Sequence, residues 1–353
     1  MGDVFDSNTN KTFFTTFSDF GPKFEGQTAL EIVLLSVIFI CGLTGNILVI
    51  LSTAMFKHMR STSNLLLCYQ SVADLCLAIF PIPITMTRIT SHWTLGDVTC
   101  RIYMYLFFIT GCLTLLCMCS LAIDRYLSIC RPQTYNFLKI HPYWSAVLLL
   151  CISVFLNYNN LLDWRELTAR SLGRNVTFCG REWVKEPKST LSNLLFTIMF
   201  FFSPLCIVFL MHAVVWNHVR QSARRIANVR TSLGTEGTSR GSVQASVPST
   251  TRAAQTKLLQ MLIMSVILFV LMFTPFVVVD FIIMYGGGFG DSNHRAWMFT
   301  TILALANCFV NPILIYLFNV KYRACFKAVL HFRYKPPNRS LETETVISAS
   351  VRQ

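Results

Sequence analysis

An acid and a base, Asp124 and Arg125, stand side by side directly after the charge-free run 102–123. A charge deep in a membrane is costly without a partner, whereas at the interface this neighbouring pair can form. Such a pair can act as a latch: when closed it keeps one face of a protein packed, and when open it frees a guanidinium to contact another protein. An ordinary interfacial charge pair is the simpler alternative, and these two residues alone do not decide between them.

A second acid, Asp74, lies within the long apolar stretch 61–87. Because a lone carboxylate in hydrocarbon is costly, we expect Asp74 to face the interior of a helix bundle. The polar residues that could reach it are Asn46, Thr114, Asn307 and Asn311.

Membrane-spanning helices are the elements that must position these charges. Of the 353 residues, 53% are hydrophobic and only 13% are charged, whereas soluble domains average about 25% charged residues. A spanning helix needs about 20 apolar residues, and seven segments satisfy this: 32–56, 61–87, 102–123, 142–162, 189–219, 258–279 and 296–320. Barrel strands would alternate over about 10 residues. The predicted fold class is therefore an all-α membrane protein, a seven-transmembrane helix bundle, and the composition disfavours one very large soluble core.

Basic residues set the predicted orientation. Lysines and arginines concentrate in the loops after segments one, three and five and in the tail after segment seven. Because such residues favour the cytoplasmic side, we expect the N-terminus outside and the C-terminus inside, in the plasma membrane. The net charge of +13 then reflects topology and contact with anionic membrane lipid. It does not indicate nucleic acid, whose binding needs a soluble basic face.

Cysteines and glycosylation sequons provide two tests of this topology. Of 13 cysteines, only Cys100 and Cys179 lie on the predicted outside, where thiols oxidise, so we expect them to form a disulfide. Sequons begin at Asn10 and Asn175 on that same side. A third begins at Asn338 on the inside, where it should remain unmodified.

The chain divides into four predicted parts. Residues 1–29 form a short exposed tail, and 30–318 form the seven-transmembrane domain. Within that domain, the loop at about 220–256 is rich in Ser, Thr, Gly and Arg, cannot form a core, and is predicted to be disordered. Residues 319–332 place apolar side chains at helical spacing between bases, which predicts a short amphipathic eighth helix on the inner leaflet. A flexible cytoplasmic tail, 333–353, follows.

Short motifs follow one another along these segments. They are Gly45-Asn46 in segment one, SVADL at 71–75 in segment two, Asp124-Arg125-Tyr126 after segment three, and Asn311-Pro312 with Tyr316 in segment seven. With Cys100, Cys179 and a Trp-Thr-Leu-Gly loop at 93–96, they resemble the rhodopsin-like (class A) family of G-protein-coupled receptors over residues 30–332. The resemblance implies a receptor without catalytic activity, in which an extracellular ligand moves helix six and a heterotrimeric G protein is activated.

The resemblance also assigns roles to individual residues. It implies a G-protein switch made of Asp124, Arg125, Tyr126, Asn311, Pro312 and Tyr316. It implies a sodium site made of Asp74, Thr114, Asn307 and Asn311, whose oxygen atoms suit a hard cation. The alternative is a structural hydrogen-bond network around a protonated Asp74. No other cofactor is expected, and the serines and threonines of the tail either recruit kinase- and arrestin-type regulators after phosphorylation or are plain disorder.

Three features depart from the family pattern. Phe273 stands where the family usually has Trp, and His212 stands where it usually has a Tyr that steadies the freed Arg125. The base of segment six, 250–259, contains no acid that could form a second ion pair with Arg125. We therefore expect raised ligand-independent activity, with Pro275 as the hinge of helix six.

The resemblance implies an outer ligand pocket between segments three, five, six and seven. Its matching positions are Phe107, Phe108, Phe196, Phe200, Phe273 and Phe276, although each of these could instead face lipid or a neighbouring helix. Because Phe107 replaces the acid of amine receptors and 296–320 contains no Lys for a Schiff base, neither a biogenic amine nor retinal is expected. Arg88 could bind the head group of a lipid-like ligand, whereas Asp280 could bind a basic peptide, and both classes stay open.

Two other function classes fit the sequence less well. A multi-pass transporter or channel needs charged or interrupted helices along a path, but only Asp74 is charged at depth. A membrane enzyme needs a metal-binding, nucleophile or phosphate-binding motif, and the sequence contains none of the usual ones.

Overall fold

The computed structural model describes residues 2–5, 12–15, 25–90, 93–137, 142–171, 174–181, 201–233, 249–286 and 291–331. Within these ranges, seven helices match the predicted segments: helix one, Glu25–Met55; helix two, Thr62–Ile79 with its continuation Pro81–Thr90; helix three, Gly96–Cys130; helix four, Pro142–Leu156; helix five, Ser203–Leu233; helix six, Ser249–Gly286; and helix seven, Asp291–Phe318. Shorter helices lie at Lys57–Met59, Pro132–Phe137, Tyr158–Asp163 and Val320–Leu330, the last of which is helix eight.

Five of the described helices, namely one, two, three, six and seven, are long and apolar enough to cross a membrane. Helix four is apolar but shorter, with its apolar part at Tyr143–Leu156. The predicted fifth segment begins at residue 189, outside the described residues, and its helix is described from Ser203. Helices suit this environment because hydrocarbon offers no water to backbone groups, so each segment must satisfy its own hydrogen bonds.

The predicted disordered loop at 220–256 needs correction. Helix five continues to Leu233 and helix six already begins at Ser249, so only 234–248 stays outside the described residues. The sequence before residue 233 contains several Arg, Gln and Ala residues, which have high helix propensity, and it extends the helix beyond its apolar part. Composition alone could not separate a solvated helical extension from a disordered loop.

A four-stranded antiparallel sheet covers one end of the bundle, called the hairpin end below. Strands β3, Trp164–Ser171, and β4, Arg174–Arg181, form the hairpin itself. Strand β1, Gly2–Phe5, pairs with β3, and β2, Thr12–Thr15, pairs with β1, giving the order β2-β1-β3-β4. The tail predicted to be simply exposed therefore contributes two strands, and helix one begins at Glu25 within it.

Two links attach the hairpin to the bundle. The predicted disulfide joins Cys100 at the start of helix three to Cys179 in β4, with the two Cα atoms 5.5 Å apart. The backbone N–H of Trp93 donates to the carbonyl of Thr177 at 3.0 Å, which ties the loop before helix three to the same strand. Together they hold the hairpin across the end of the bundle.

Helices one and seven approach closely at the Gly45-Asn46 motif. A Cβ atom added to Gly45 would lie 2.7 Å from the Cβ of Pro312, so only glycine fits there. Beside it, the Asn46 amide donates to the carbonyl of Cys308 at 2.8 Å. The motif therefore serves to pack these two helices together.

Candidate functional site

An aromatic cluster fills the space between helices three and six near the hairpin end. The ring centroid of Phe107 lies 5.0 Å from that of Phe276 and 6.1 Å from that of Phe273, and Phe108 lies 6.0 Å from Phe276. Phe107, Phe273 and Phe276 are all buried. Four of the predicted pocket residues thus lie together, while Phe196 and Phe200 fall outside the described residues.

Two tryptophans that the sequence did not indicate complete this cluster. Trp164, from β3, and Trp297, from helix seven, are 2% and 0% exposed, and their ring centroids lie 6.4 Å apart. Trp164 also approaches Phe108 at 6.4 Å, and Trp297 approaches Phe276 at 6.0 Å. A residue of the hairpin therefore occupies the interior of the bundle. No local pattern could have revealed it, because its burial depends on the hairpin being folded inward.

The two charges predicted at the pocket entrance both meet Trp297. The Arg88 guanidinium lies over its ring, 4.2 Å from the centroid, and donates to the carbonyl of Cys179 at 3.1 Å. The other terminal nitrogen, Nη1, is buried and has no hydrogen-bond partner among the described residues. The Tyr103 side chain also interacts with this guanidinium, so Nη1 is the Arg88 donor left for an anionic group. Asp280 on helix six interacts electrostatically with Arg181 of β4 and lies near the Trp297 side chain.

A polar network lies deeper, between helices two, three, six and seven. Asp74 is 1% exposed, and its carboxylate accepts hydrogen bonds from the Asn311 amide at 2.9 Å and the Thr114 hydroxyl at 3.4 Å. The Asn311 oxygen accepts in turn from Ser265 at 2.9 Å. Ser265 is a network member that the sequence did not single out, and it couples helix six to Asp74 through helix seven.

These contacts test whether the predicted residues suit a sodium ion. The Asp74 carboxylate and the Thr114 hydroxyl supply the oxygen atoms that a hard cation prefers. The Asn307 side-chain oxygen is also buried without a hydrogen-bond partner among the described residues. Asn311 presents its nitrogen to Asp74, so it fits as a hydrogen-bond donor and not as a ligand. The oxygen atoms of Asp74 and Thr114 therefore suit such an ion, and the sodium site itself stays a prediction.

The opposite end of the bundle, called the Asp124 end below, contains the charge pair. The Arg125 guanidinium contacts the Asp124 carboxylate at 2.5 Å. The Ser63 hydroxyl of helix two donates to the same carboxylate at 2.7 Å and also contacts Arg125. Tyr135, in the short helix that follows helix three, donates to Asp124 at 3.3 Å. Asp124 is 6% exposed, so this is a buried and multiply bonded pair that joins three elements.

The other predicted switch residues lie apart from this pair. Tyr126 is half-buried beside it in helix three. Pro312 packs against Gly45, and Tyr316 stacks on Phe326 of helix eight with the ring centroids 6.2 Å apart. Pro312 and Tyr316 connect helix seven to helices one and eight, whereas Asn311 bonds to Asp74 of helix two, so the six predicted switch residues do not form one cluster in this structure.

His212, which replaces the family's usual Tyr, is buried in helix five. Its Nδ1 atom lies 2.8 Å from the carbonyl of Val208, and Nε2 has no hydrogen-bond partner among the described residues. The ion pair found for Arg125 within these ranges is the one with Asp124. The imidazole and the guanidinium are therefore not paired here.

Comparison with known proteins agrees with this arrangement. Residues 45–316 match the model of the 7 transmembrane receptor (rhodopsin family). The chain is 24% identical to melanopsin of Podarcis siculus over 88% of its own length, and it spans 64% of that relative. It is 24% identical to neuropeptide FF receptor 1 of Homo sapiens, with 94% of this chain and 77% of the relative covered. It is 23% identical to somatostatin receptor type 5 of Bos taurus, with 90% of this chain and 80% of the relative covered. The predicted seven-helix fold and family resemblance are confirmed.

Proposed function

Because the chain belongs to the rhodopsin family of seven-transmembrane receptors, we propose that a ligand acts at its hairpin end and that helix six carries the signal to the Asp124 end. The protein is a G-protein-coupled receptor of the plasma membrane and not an enzyme, and its partners are an extracellular ligand and a heterotrimeric G protein. The basic loops support an orientation with the hairpin end outside and the C-terminus in the cytoplasm. The family assignment disfavours the transporter or channel alternative.

The observation that carries the mechanism is a chain of aromatic contacts along helix six. Phe276 touches Trp297 on the hairpin side, while Phe273 stacks on Phe269 with ring centroids 5.3 Å apart. Pro275 lies between them and removes a backbone hydrogen bond, which makes a hinge. A ligand that moves Trp164 or Trp297 would therefore displace rings on both sides of this hinge.

Spin labels at the Asp124 ends of helices three and six test this mechanism. An agonist found by screening peptides and lipids with a second-messenger readout should increase the distance between the labels. Signalling at an unchanged distance would contradict the helix-six mechanism while leaving the receptor assignment intact.

The ligand is either a peptide or a lipid-like molecule, with an apolar part that fits the aromatic cluster. Arg88 Nη1 is available for a carboxylate or phosphate, and Asp280 favours a basic group. Phe107 and the lysine-free helix seven argue against an amine and retinal. The names of the neuropeptide FF and somatostatin relatives favour the peptide.

Single variants separate these two chemistries. If an anionic group binds at Arg88, Arg88→Gln should weaken the agonist response and Asp280→Asn should have little effect. For a basic peptide anchored at Asp280, the two results should be reversed. Equal responses of both variants and the native receptor would exclude a charged anchor at this site.

A sodium ion at Asp74, Thr114 and Asn307 is a further part of the proposal. When bound, the ion would supply positive charge to the Asp74 carboxylate. Ligand-independent signalling should then depend on sodium concentration in membranes, and Asp74→Asn should abolish that dependence. If the native receptor is indifferent to sodium, the network has a structural role only.

Several expectations concern regulation. Phe273, His212 and the absence of an acid at 250–259 support raised ligand-independent activity, which a silent receptor would contradict. Asn175 lies in β4 and Asn10 lies outside the described residues; we expect glycans on both. The tail beyond residue 332 is expected to recruit kinase- and arrestin-type regulators, and the inner face to contact membrane lipid.

A further inference from the structure

Several charged side chains at the hairpin end face a side chain of opposite charge. Asp97 and Arg101 form an ion pair of 2.7 Å at the start of helix three. Arg181 of β4 lies 4.0 Å from Asp163 and also interacts electrostatically with Asp280 of helix six. Within the described part of the chain, these acids and bases compensate one another.

Arg88 is the exception within the same ranges. Its guanidinium lies over the Trp297 ring, 4.2 Å from the centroid, and it interacts with the Cys179 carbonyl and the Tyr103 side chain. None of these partners carries a negative charge, and no described Asp or Glu forms an ion pair with Arg88. Atom Nη1 is buried and has no hydrogen-bond partner among the described residues. This cation therefore lacks the counter-charge that normally offsets the cost of removing a charge from water.

Asp280, the alternative anchor for a ligand, does not have this deficit. A basic ligand group would compete with Arg181 for the Asp280 carboxylate. An acidic ligand group would meet Arg88 without competition from any acid that the structure describes. Because charges interact strongly where water is excluded, this difference in compensation selects an anionic ligand group.

A second unpaired atom of the aromatic cluster also needs an acceptor. Trp164 Nε1 is buried and has no hydrogen-bond partner in the described ranges, and an indole N–H can only donate. Trp164 of β3 and Arg88 of helix two both lie next to Trp297. A ligand that brings oxygen acceptors suits this pair of donors, whereas a ligand that brings only further donors does not.

Arg88 is accessible from the hairpin end, and an apolar surface continues from it. The residue lies in the last turn of the helix Pro81–Thr90 and is only partly buried as a whole. From Trp297, on which the guanidinium lies, the next ring is that of Phe276 at 6.0 Å, and Phe107 follows at 5.0 Å from Phe276. A ligand with an acidic end and an apolar body matches this order of contacts.

We propose that the ligand carries a carboxylate that binds Arg88 and an apolar body that lies against Trp297 and Phe276. The inference rests on the proposed function, because it places the ligand at the hairpin end. A single carboxylate matches the one uncompensated positive charge, whereas a phosphate group carries up to two negative charges. The flat carboxylate also fits the fixed donor geometry of a guanidinium. A free fatty acid and the C-terminus of a peptide share this chemistry.

Two matched pairs of probes test the proposal on the purified full-length receptor. One pair is decanoate and methyl decanoate. The other is a pool of short peptides that end in Phe with a free C-terminus, and the same pool as C-terminal amides. Because a bound ligand stabilises the folded protein, the melting temperature at increasing probe concentration measures the affinity.

We expect decanoate, the free-acid peptides or both to raise the melting temperature more than their neutral counterparts do. The pair that shows the difference identifies the source of the carboxylate. No difference within either pair would overturn the proposal.

Two variants and one matched control locate the carboxylate. Arg88→Gln should weaken binding of the active acid about 12- to 140-fold, the equivalent of about 1.5–3 kcal/mol for a hydrogen bond to a charged group. Arg88→Lys keeps the charge and should retain a preference for the acid over its neutral counterpart. Arg101→Gln removes one positive charge from the same end, but from the ion pair with Asp97, and should preserve the affinity.

The melting temperature without probe and surface display check the folding of each variant. Equal losses of affinity in Arg88→Gln and Arg101→Gln would show a general attraction of charge and overturn the proposal. Native affinity in a displayed Arg88→Gln receptor, or loss of the acid preference in a displayed Arg88→Lys receptor, would overturn it as well.

This readout measures binding and not signalling. A receptor that binds acids while agonists leave the distance between helices three and six unchanged would contradict the helix-six mechanism alone. A receptor that signals to an agonist but shows no preference for acids would contradict this inference alone.

Discussion

The two ends of the bundle are held by different kinds of interaction. At the hairpin end, aromatic rings from helices three, six and seven and from β3 pack without directional bonds. At the Asp124 end, a few hydrogen bonds converge on one buried carboxylate. Ring packing can adjust to many shapes, but a set of directional bonds is either made or broken. The first arrangement suits the acceptance of a ligand, and the second suits a switch.

This difference makes a prediction about variants. At the hairpin end, loss of volume should lower stability strongly. At the Asp124 end, loss of a bond should change signalling more than stability. Measuring stability and signalling for each variant tests this difference between the two ends. The four variants below run from the largest expected effect on stability to the smallest.

Phe276→Ala should have the largest effect on stability. The ring is 1% exposed and contacts Phe107, Phe273 and Trp297, so its removal leaves a cavity. Similar truncations cost about 3–5 kcal/mol. Thermal denaturation of the purified receptor measures the loss. Phe299→Ala is the matched control, because Phe299 is 64% exposed towards lipid, and an equal loss in both variants would refute the packing argument.

Cys100→Ser should follow, because the disulfide holds the hairpin and with it Trp164. Loss of a native disulfide typically costs about 2–5 kcal/mol. We expect a lower melting temperature and reduced surface display. The double variant with Cys179→Ser should match each single variant, since all three lack the same bond. An unchanged melting temperature and unchanged surface display would mean that the other contacts of the hairpin are enough to keep Trp164 buried in the bundle.

Asp124→Asn should have a moderate effect on stability and the largest effect on signalling. The variant removes the negative charge that holds Arg125. We expect the free energy of unfolding to fall by about 1.5–3 kcal/mol, the usual contribution of a hydrogen bond to a charged group. Ligand-independent second-messenger production should rise several-fold. Asp97→Asn is the control, because Asp97 pairs with Arg101 at 2.7 Å near the opposite end. If both variants raise signalling equally, the Asp124 end is not a switch.

Tyr135→Phe should have the smallest effect. It removes one hydrogen bond to Asp124, 3.3 Å long, and leaves the ring in place. We expect a loss of about 0.5–1.5 kcal/mol together with a slight rise in ligand-independent signalling. Tyr158→Phe, at a side chain that is 54% exposed, should change neither quantity. A change in melting without any change in signalling would assign Tyr135 a purely structural role.

Sequence reasoning succeeded best where the signal was local. The charge-free segments predicted the helices because every spanning stretch must be apolar and internally hydrogen-bonded, whatever its neighbours are. The Asp124–Arg125 contact was predicted because the two residues are neighbours in the chain. The Cys100–Cys179 disulfide was predicted because both cysteines lie on the oxidising outer side of the membrane. Asp74 was correctly expected to be buried with Thr114 and Asn311, since a carboxylate in the membrane must find polar partners.

Sequence reasoning failed where the contacts were distant along the chain. Ser63, Ser265 and Trp164 carry no local pattern that distinguishes them from other polar or aromatic residues. Their roles arise from partners on other elements: Asp124 for Ser63, Asn311 for Ser265, and Phe108 for Trp164. The strands of the N-terminal tail were missed for a similar reason, because strand pairing depends on a partner elsewhere in the chain.

The sequence by itself determined the number of spanning helices, their order and the positions of the chemically active residues. These properties depend on the transfer of each segment between water and lipid, which is a property of composition. The tertiary structure alone decided which aromatic rings share a cluster, that a tryptophan of the hairpin enters the bundle, and that His212 borders a groove between helices five and six. Such features depend on the rotation of each helix and on the path of the hairpin, and both are set by packing between elements distant in the chain.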